Sequence, residues 1–172
     1  ANYARRGTGE GNYTDGQTGY GPYGGAILVQ GTADAQTPVI IRDCRLSKNW
    51  SNCDAHSTYP YWCWGGSVYL WNCQSAVTRT VLTDNGHTPY TKGSSFTYAN
   101  GGLDIRGGTL ALTNVLIGSA YSCWCLGNQD GAVEAVNCTF AGALGTGTGR
   151  AAAGYVEHVT SASAAVSAVF RN

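Results

Sequence analysis

Four times along the chain, a glycine-marked corner runs directly into an alternating apolar stretch. Gly24-Gly25 precedes AILVQ, Gly65-Gly66 precedes SVYLWN, Gly101-Gly102 precedes LDIRG, and Asp130-Gly131 precedes AVEAVN. Apolar residues at every second position share one face of a strand. Ile27 and Val29, Val68 and Leu70, Leu103 and Ile105, and Val133 and Ala135 are therefore expected to point inward. The opposite face would carry Leu28 and Gln30, Tyr69 and Trp71, and Asp104 and Arg106. Glycine accepts the positive φ of a sharp corner, which suits a chain bending into a strand.

The second glycine of each corner falls at 25, 66, 102 and 131, so the intervals are 41, 36 and 29 residues. Self-similarity at such intervals marks stacked repeats. A second strand follows in three units: Val39 and Ile41 precede DCRL (43–46), Ser75 and Val77 precede RTVL (79–82), and Leu110 and Leu112 precede NVLI (114–117). Asn49 and Asn85 each stand three residues after a leucine, in LSKN and LTDN, where an asparagine suits a turn repeated once per unit. The stretch GAVEAVNCTF aligns with the first strand GSVYLWNC or with the second strand LALTNVLI. Both alignments stay open.

The pairing of GGAI (24–27) with LSKN (46–49), repeated as GGSV with LTDN, resembles the repeats of chlamydial polymorphic outer-membrane proteins and of pectin-lyase-like proteins. The third copy has lost the asparagine (IGSA, 117–120), and the resemblance covers roughly residues 24 to 144. It implies an all-β fold, a right-handed parallel β-helix of about four to five coils stacked about 4.8 Å apart. Residues 1–23 would form a Gly/Tyr-rich N-terminal arm and 24–172 the β-helix domain. The core would be built on Ile27, Val29, Val39, Ile41, Val68, Leu70, Leu103, Ile105, Leu110 and Leu112.

Composition agrees with an all-β chain rich in turns: 25 glycines and only two lysines among 172 residues. Ten acidic and ten basic side chains cancel, which removes nucleic acid and anionic membranes from the expected partners. No run of apolar residues is long enough to span a bilayer as a helix. No cofactor or metal is expected, because CWC (123–125) has the wrong spacing for a zinc site and His56, His87 and His158 are scattered.

Seven cysteines, Cys44, Cys53, Cys63, Cys73, Cys123, Cys125 and Cys138, point to disulfides in an oxidising compartment, with Cys53–Cys63 the favoured local pair. Three sequons, at Asn12, Asn49 and Asn137, fit an extracellular, secreted glycoprotein. Asn12 and Asn49 are expected to be exposed and glycosylated before Asn137, which lies at a strand end where its amide would turn inward.

Catalysis on a polysaccharide needs clustered carboxylates or an acidic calcium site. Polar residues on the strands are sparse, and DNGH (84–87) lacks the companion motifs of a polygalacturonase, so a non-enzymatic role is expected. Tyr69, Trp71, Asp104 and Arg106 form a candidate sugar-stacking patch, against the plainer reading of Arg106 stacked on Trp71 from the next coil. That patch supports the alternative of a carbohydrate-active or carbohydrate-binding domain. Ice binding ranks last, since the threonines do not fall on one face in successive coils.

The absence of methionine suggests processing or a piece of a longer chain. Neither Tyr-rich residues 1–23 nor the stretch AAVSAVFRN (164–172) reads as a cap over an open coil. Open coils stack, and a head-to-tail contact that does not close makes a filament. The expectation is a self-assembling filament, sheath or cell-surface appendage.

Overall fold

The computed structural model describes residues 3–5, 20–23, 25–32, 34–52, 62–64, 67–87, 100–118, 124–141, 154–157 and 166–172. Among them the chain is all-β. In chain order the strands are β1 (Tyr3–Arg5), β2 (Tyr20–Tyr23), β3 (Ile27–Gln30), β4 (Thr37–Arg42), β5 (Arg45–Ser47) and β6 (Trp50–Asn52). There follow β7 (Trp62–Trp64), β8 (Val68–Thr78), β9 (Val81–Thr83), β10 (Gly86–His87), β11 (Asn100–Thr113) and β12 (Leu116–Gly118). The last are β13 (Trp124–Gln129), β14 (Ala132–Val136), β15 (Thr139–Ala141), β16 (Gly154–Glu157) and β17 (Ser167–Arg171).

Every described pairing is parallel, and each joins a strand to its counterpart one repeat away. In the largest sheet β8 lies between β3 and β4 on one side and β11 on the other, while β13 and β14 continue to β16 and β17. A four-stranded sheet runs β15-β12-β9-β5, a three-stranded sheet runs β1-β6-β10, and β2 pairs with β7. Two strands of the Gly/Tyr-rich segment, β1 and β2, are thus laid into the ladders beside Trp50–Asn52 and Trp62–Trp64. In the four-stranded sheet Leu46, Leu82, Ile117 and Phe140 are register partners, so successive repeats are 36, 35 and 23 residues long.

The ambiguous fourth unit is settled by register. Leu110 pairs with Val133 and Leu112 with Ala135, which makes GAVEAVN the second strand of its repeat. The first strand is β13, where Leu126 partners Leu103. Asp130-Gly131 is therefore not a fourth copy of the double-glycine corner. Gly102 itself is required by close approach, because a Cβ there would strike the carbonyl oxygen of Cys125 on the next strand.

The inward positions stack in columns. Ile27, Val68, Leu103 and Leu126 form one, and Ile41, Val77, Leu112, Ala135 and Phe170 another. Of the ten residues expected in the core, Ile41, Val68, Leu70, Leu103, Ile105, Leu110 and Leu112 are buried, while Ile27, Val29 and Val39 are partly buried and pack against them. The difference follows from position. β3 and β4 have a described neighbour on one side only, so their inward side chains are covered from one side. One column turns polar at Asn128, which is 1 % exposed. Its Nδ2 donates to the carbonyls of Gly131 and Ser167 at 3.0 and 3.1 Å, and its Oδ1 accepts from the Gly131 N–H at 3.1 Å.

The bends between strands, and the bend within β8 at Asn72, share one device. Asp43, Lys48, Asn72, Arg79, Asp84, Asn114, Asp130 and Asn137 all have φ between 46° and 56° or, for Lys48, 57°. This left-handed conformation turns the chain through a single residue, and asparagine and aspartate adopt it most readily outside glycine. In each of the eight cases the next residue (Cys44, Asn49, Cys73, Thr80, Asn85, Val115, Gly131 or Cys138) is more buried than the left-handed one. At every corner the left-handed residue is the more exposed of the two and its successor the more buried.

Candidate functional site

That out-then-in rule decides the fate of the sequons. At the corner Lys48-Asn49 the left-handed residue is Lys48, so Asn49 is the inward member and only 3 % exposed. Its backbone N–H and its Nδ2 both donate to Oδ1 of Asn85, each at 3.0 Å, and Nδ2 of Asn85 donates to the Leu46 carbonyl at 2.9 Å. The expectation that Asn49 is an exposed turn residue is overturned: it belongs to a buried amide ladder. At Asn137-Cys138 the left-handed residue is Asn137 itself (φ 52°), and its side chain is exposed. The expected order, with Asn49 outward and Asn137 inward, is reversed by one position of phase at the corner. Asn12 lies outside the described residues.

The four residues of the sugar-stacking patch form two cross-strand pairs. Tyr69 is the register partner of Asp104, and Trp71 of Arg106. The first pair does not offer a surface, because Tyr69 and Asp104 are each 1 % exposed. In the second pair the Arg106 guanidinium carbon lies 4.9 Å from the Trp71 ring centroid, and both side chains are half-buried. A cation over an indole face contributes about 0.5–1 kcal/mol where water still reaches it. The plainer cross-strand stack therefore describes this pair, and the four-residue platform is reduced to Trp71 and Arg106.

Cys44, Cys73, Cys125 and Cys138 are free thiols. Cys53, Cys123 and the side chain of Cys63 lie outside the described residues, as does the expected Cys53–Cys63 pair. Three of the four thiols are corner residues that follow a left-handed position. Each donates back to the carbonyl two residues earlier: Cys44 to Arg42 at 3.1 Å, Cys73 to Trp71 at 3.3 Å and Cys138 to Val136 at 3.3 Å. Thr80 fills the same role with its hydroxyl, 3.0 Å from the Thr78 carbonyl. A cysteine is a small hydrophobe with a weak donor, and these corners use it as such. Burial raises the thiol pKa of Cys73 and of Cys125, opposed more weakly by backbone hydrogen bonding at Gly31 and Trp71 for Cys73 and at Ala141 for Cys125.

On the outside of the same corner, Arg79 grips Asp43 of the preceding repeat with two hydrogen bonds, Nε to Oδ1 at 2.6 Å and Nη2 to Oδ2 at 2.7 Å. The hydrogen bond from Arg79, more than its charge alone, holds the Asp43 carboxyl below its ordinary range. Both side chains are more than half exposed, so water and salt screen the pair. In DNGH, Asp84 is the left-handed residue and Asn85 the ladder member, which makes the motif a corner. Among the described residues no three His, Cys, Asp or Glu side chains gather into a group that could hold a metal ion, and no helix is long and apolar enough to cross a membrane.

Among the described residues the exposed large apolar side chains lie on two edges of the largest sheet, apart from Leu116 on β12. Leu28 and Ile40 on the β3 and β4 edge are 51 % and 77 % exposed. On the β17 edge Val169 and Phe170 are 41 % and 55 % exposed. Phe170 shares a column with Leu112 and Ala135, which are 0 % and 1 % exposed. It meets Phe140 edge to face, with ring centroids 5.8 Å apart. Comparison with known proteins returns no matching family model, no matching curated protein and no matching solved structure.

Proposed function

We propose that the chain folds as a right-handed parallel β-helix of about four to five coils, of the kind its GGAI and LSKN repeats resemble. In this reading it serves as a secreted, non-enzymatic structural subunit that assembles end to end. The observation that carries the reading is Phe170: an inward column position that is 55 % exposed because no further strand covers it among the described residues. Among the described residues β4 and β17 are the two end strands of one parallel ladder, and the outer side of β17 has the polarity to receive the outer side of β4 from a second copy. Such pairing would extend the ladder, cover Phe170 and bury apolar surface worth about 25 cal/mol per Å². Because the two edges differ, the contact is head to tail and propagates.

Negative-stain electron microscopy and sedimentation of the purified chain test the reading. Filaments or concentration-dependent oligomers are expected from the intact chain, and Phe170→Asp should shift them toward monomer. An intact chain that sediments as a monomer at high concentration overturns it.

A second reading keeps the exterior of β8 and β11 as a carbohydrate-binding surface, favoured by the half-exposed Trp71. The Arg106 guanidinium already occupies one face of that ring, so the other face alone is left for a sugar. Glycan-array binding that is lost in Trp71→Ala would favour this reading over the first.

A further inference from the structure

The sequons at Asn49 and Asn137 both fall at corners, yet the fold treats them oppositely. We infer that an N-linked glycan is carried on Asn137 and excluded from Asn49. The inference rests on the secreted reading of the chain and extends it to a specific modification site.

Asn137 meets the requirements of a carrier. It is the outward member of its corner, its side chain is exposed, and Thr139, the third residue of the sequon, is exposed as well. The ladder uses only its backbone: the Asn137 N–H donates to the Arg171 carbonyl at 2.9 Å. The inward neighbour, Cys138, satisfies itself on the Val136 carbonyl at 3.3 Å. Asn114, at the same corner one repeat earlier, is also exposed and polar, so no apolar bulk blocks the outward direction. A sugar attached here projects into solvent without breaking a contact.

Asn49 fails on each point. Its Nδ2, the atom a glycan would occupy, donates to Oδ1 of Asn85 at 3.0 Å inside a region where Asn49 is 3 % exposed and Asn85 is 1 % exposed. Glycosylation replaces one hydrogen of that amide with a sugar ring. A sugar ring on this atom has no room at a site 3 % exposed and bonded to Asn85, so modification of Asn49 is incompatible with the ladder as it stands.

In the transfer step the Asn137 amide nitrogen bonds to the anomeric carbon of a diphosphate-linked oligosaccharide donor. The bond from that carbon to the diphosphate oxygen breaks, the diphosphate departs, and one amide proton is lost to a base of the transferase. The backbone does not change, which is consistent with a corner that needs only its N–H and its φ.

Glycopeptide mapping by mass spectrometry, on the chain purified from its source or from a eukaryotic secretory host, tests the inference. The peptide containing Asn137 should carry a glycan, and the peptide containing Asn49 should be bare. Thr139→Ala destroys the first sequon while leaving asparagine at the left-handed position, and it should abolish the Asn137 glycan. Ser51→Ala destroys the second sequon without touching Asn49, and it should leave the glycan pattern unchanged. A bare Asn137, or an occupied Asn49 in folded protein, overturns the inference. Filaments built from chains bare at Asn137 would sink this inference alone, and a glycosylated Asn137 on a chain that never assembles would sink only the assembly reading.

Discussion

Oδ1 of Asn85 is the single acceptor for two donors of Asn49, its backbone N–H and its Nδ2, each 3.0 Å away. The two residues sit 36 positions apart in sequence and one repeat apart in space. Removing Asn85 strands both donors in a buried place, and each buried donor left unsatisfied costs about 1–3 kcal/mol. Asn85→Ala should therefore lower stability by about 2–4 kcal/mol. Asn49→Ala keeps the backbone donation and should lose only about 1 kcal/mol. Urea denaturation midpoints of the two variants check the asymmetry. Equal losses would mean the ladder does not bear on both donors.

The bend in β11 passes through Gly107 and Gly108, with φ of 64° and 76°. A Cβ on Gly108 would meet the carbonyl oxygen and the nitrogen of Cys73 on the facing strand, both fixed backbone atoms. Gly108→Ala combines that collision with the left-handed penalty of about 1–2 kcal/mol, so the loss should exceed about 2 kcal/mol. Gly118→Ala is the control, since its Cβ would lie 3.5 Å from the Ala141 carbonyl, an ordinary contact. A thermal melt in which both variants match the parent would contradict the described backbone of β11.

Cys73 and Cys125 are buried with raised thiol pKa values, whereas Cys44 and Cys138 are half-buried. The thiolate is the reactive form. Under native conditions at neutral pH, iodoacetamide should label Cys44 and Cys138 well before Cys73 and Cys125, and all four should label once the chain is unfolded without reductant. Residue-resolved mass spectrometry reads both steps. A disulfide at any of the four, seen as a cysteine that labels only after reduction, would refute their assignment as corner-filling thiols.

The strands were legible in the sequence because a half-buried strand writes its period directly. Leu110 and Leu112 cannot exchange faces with the exposed Ala111 without emptying the core, whereas Tyr69, between Val68 and Leu70, is itself buried. The corners were not legible in the same way. Asn49 and Asn137 look alike in composition, and what separates them is which residue of a dipeptide takes the left-handed angle. Lysine at 48 gives no compositional hint of that angle, whereas the repeated LSKN and LTDN at one spacing was the available signal that Asn49 and Asn85 face each other. The thiols misled for a related reason. Cysteine count reports redox chemistry only where cysteines meet, and Cys44, Cys73 and Cys138 each sit where a small side chain must reach a carbonyl two residues back. The fourth repeat is ambiguous in sequence because its first strand, WCLGNQ, replaces the apolar alternation with Gly127 and the satisfied amide of Asn128.

Successive repeats of 36, 35 and 23 residues place Leu46, Leu82, Ile117 and Phe140 in one unbroken column. The register thus ignores how much chain intervenes between one strand and its successor. In polymer terms, doubling a closed loop costs only about 0.6 kcal/mol, far less than a ladder of strands returns. The shortest of these intervals, from Ile117 to Phe140, is about a dozen residues shorter than the other two, yet the register is the same in all three. A peptide inserted between β10 and β11 should therefore leave the pairing of both strands with their neighbours unchanged, at a spacing dictated by the sheet.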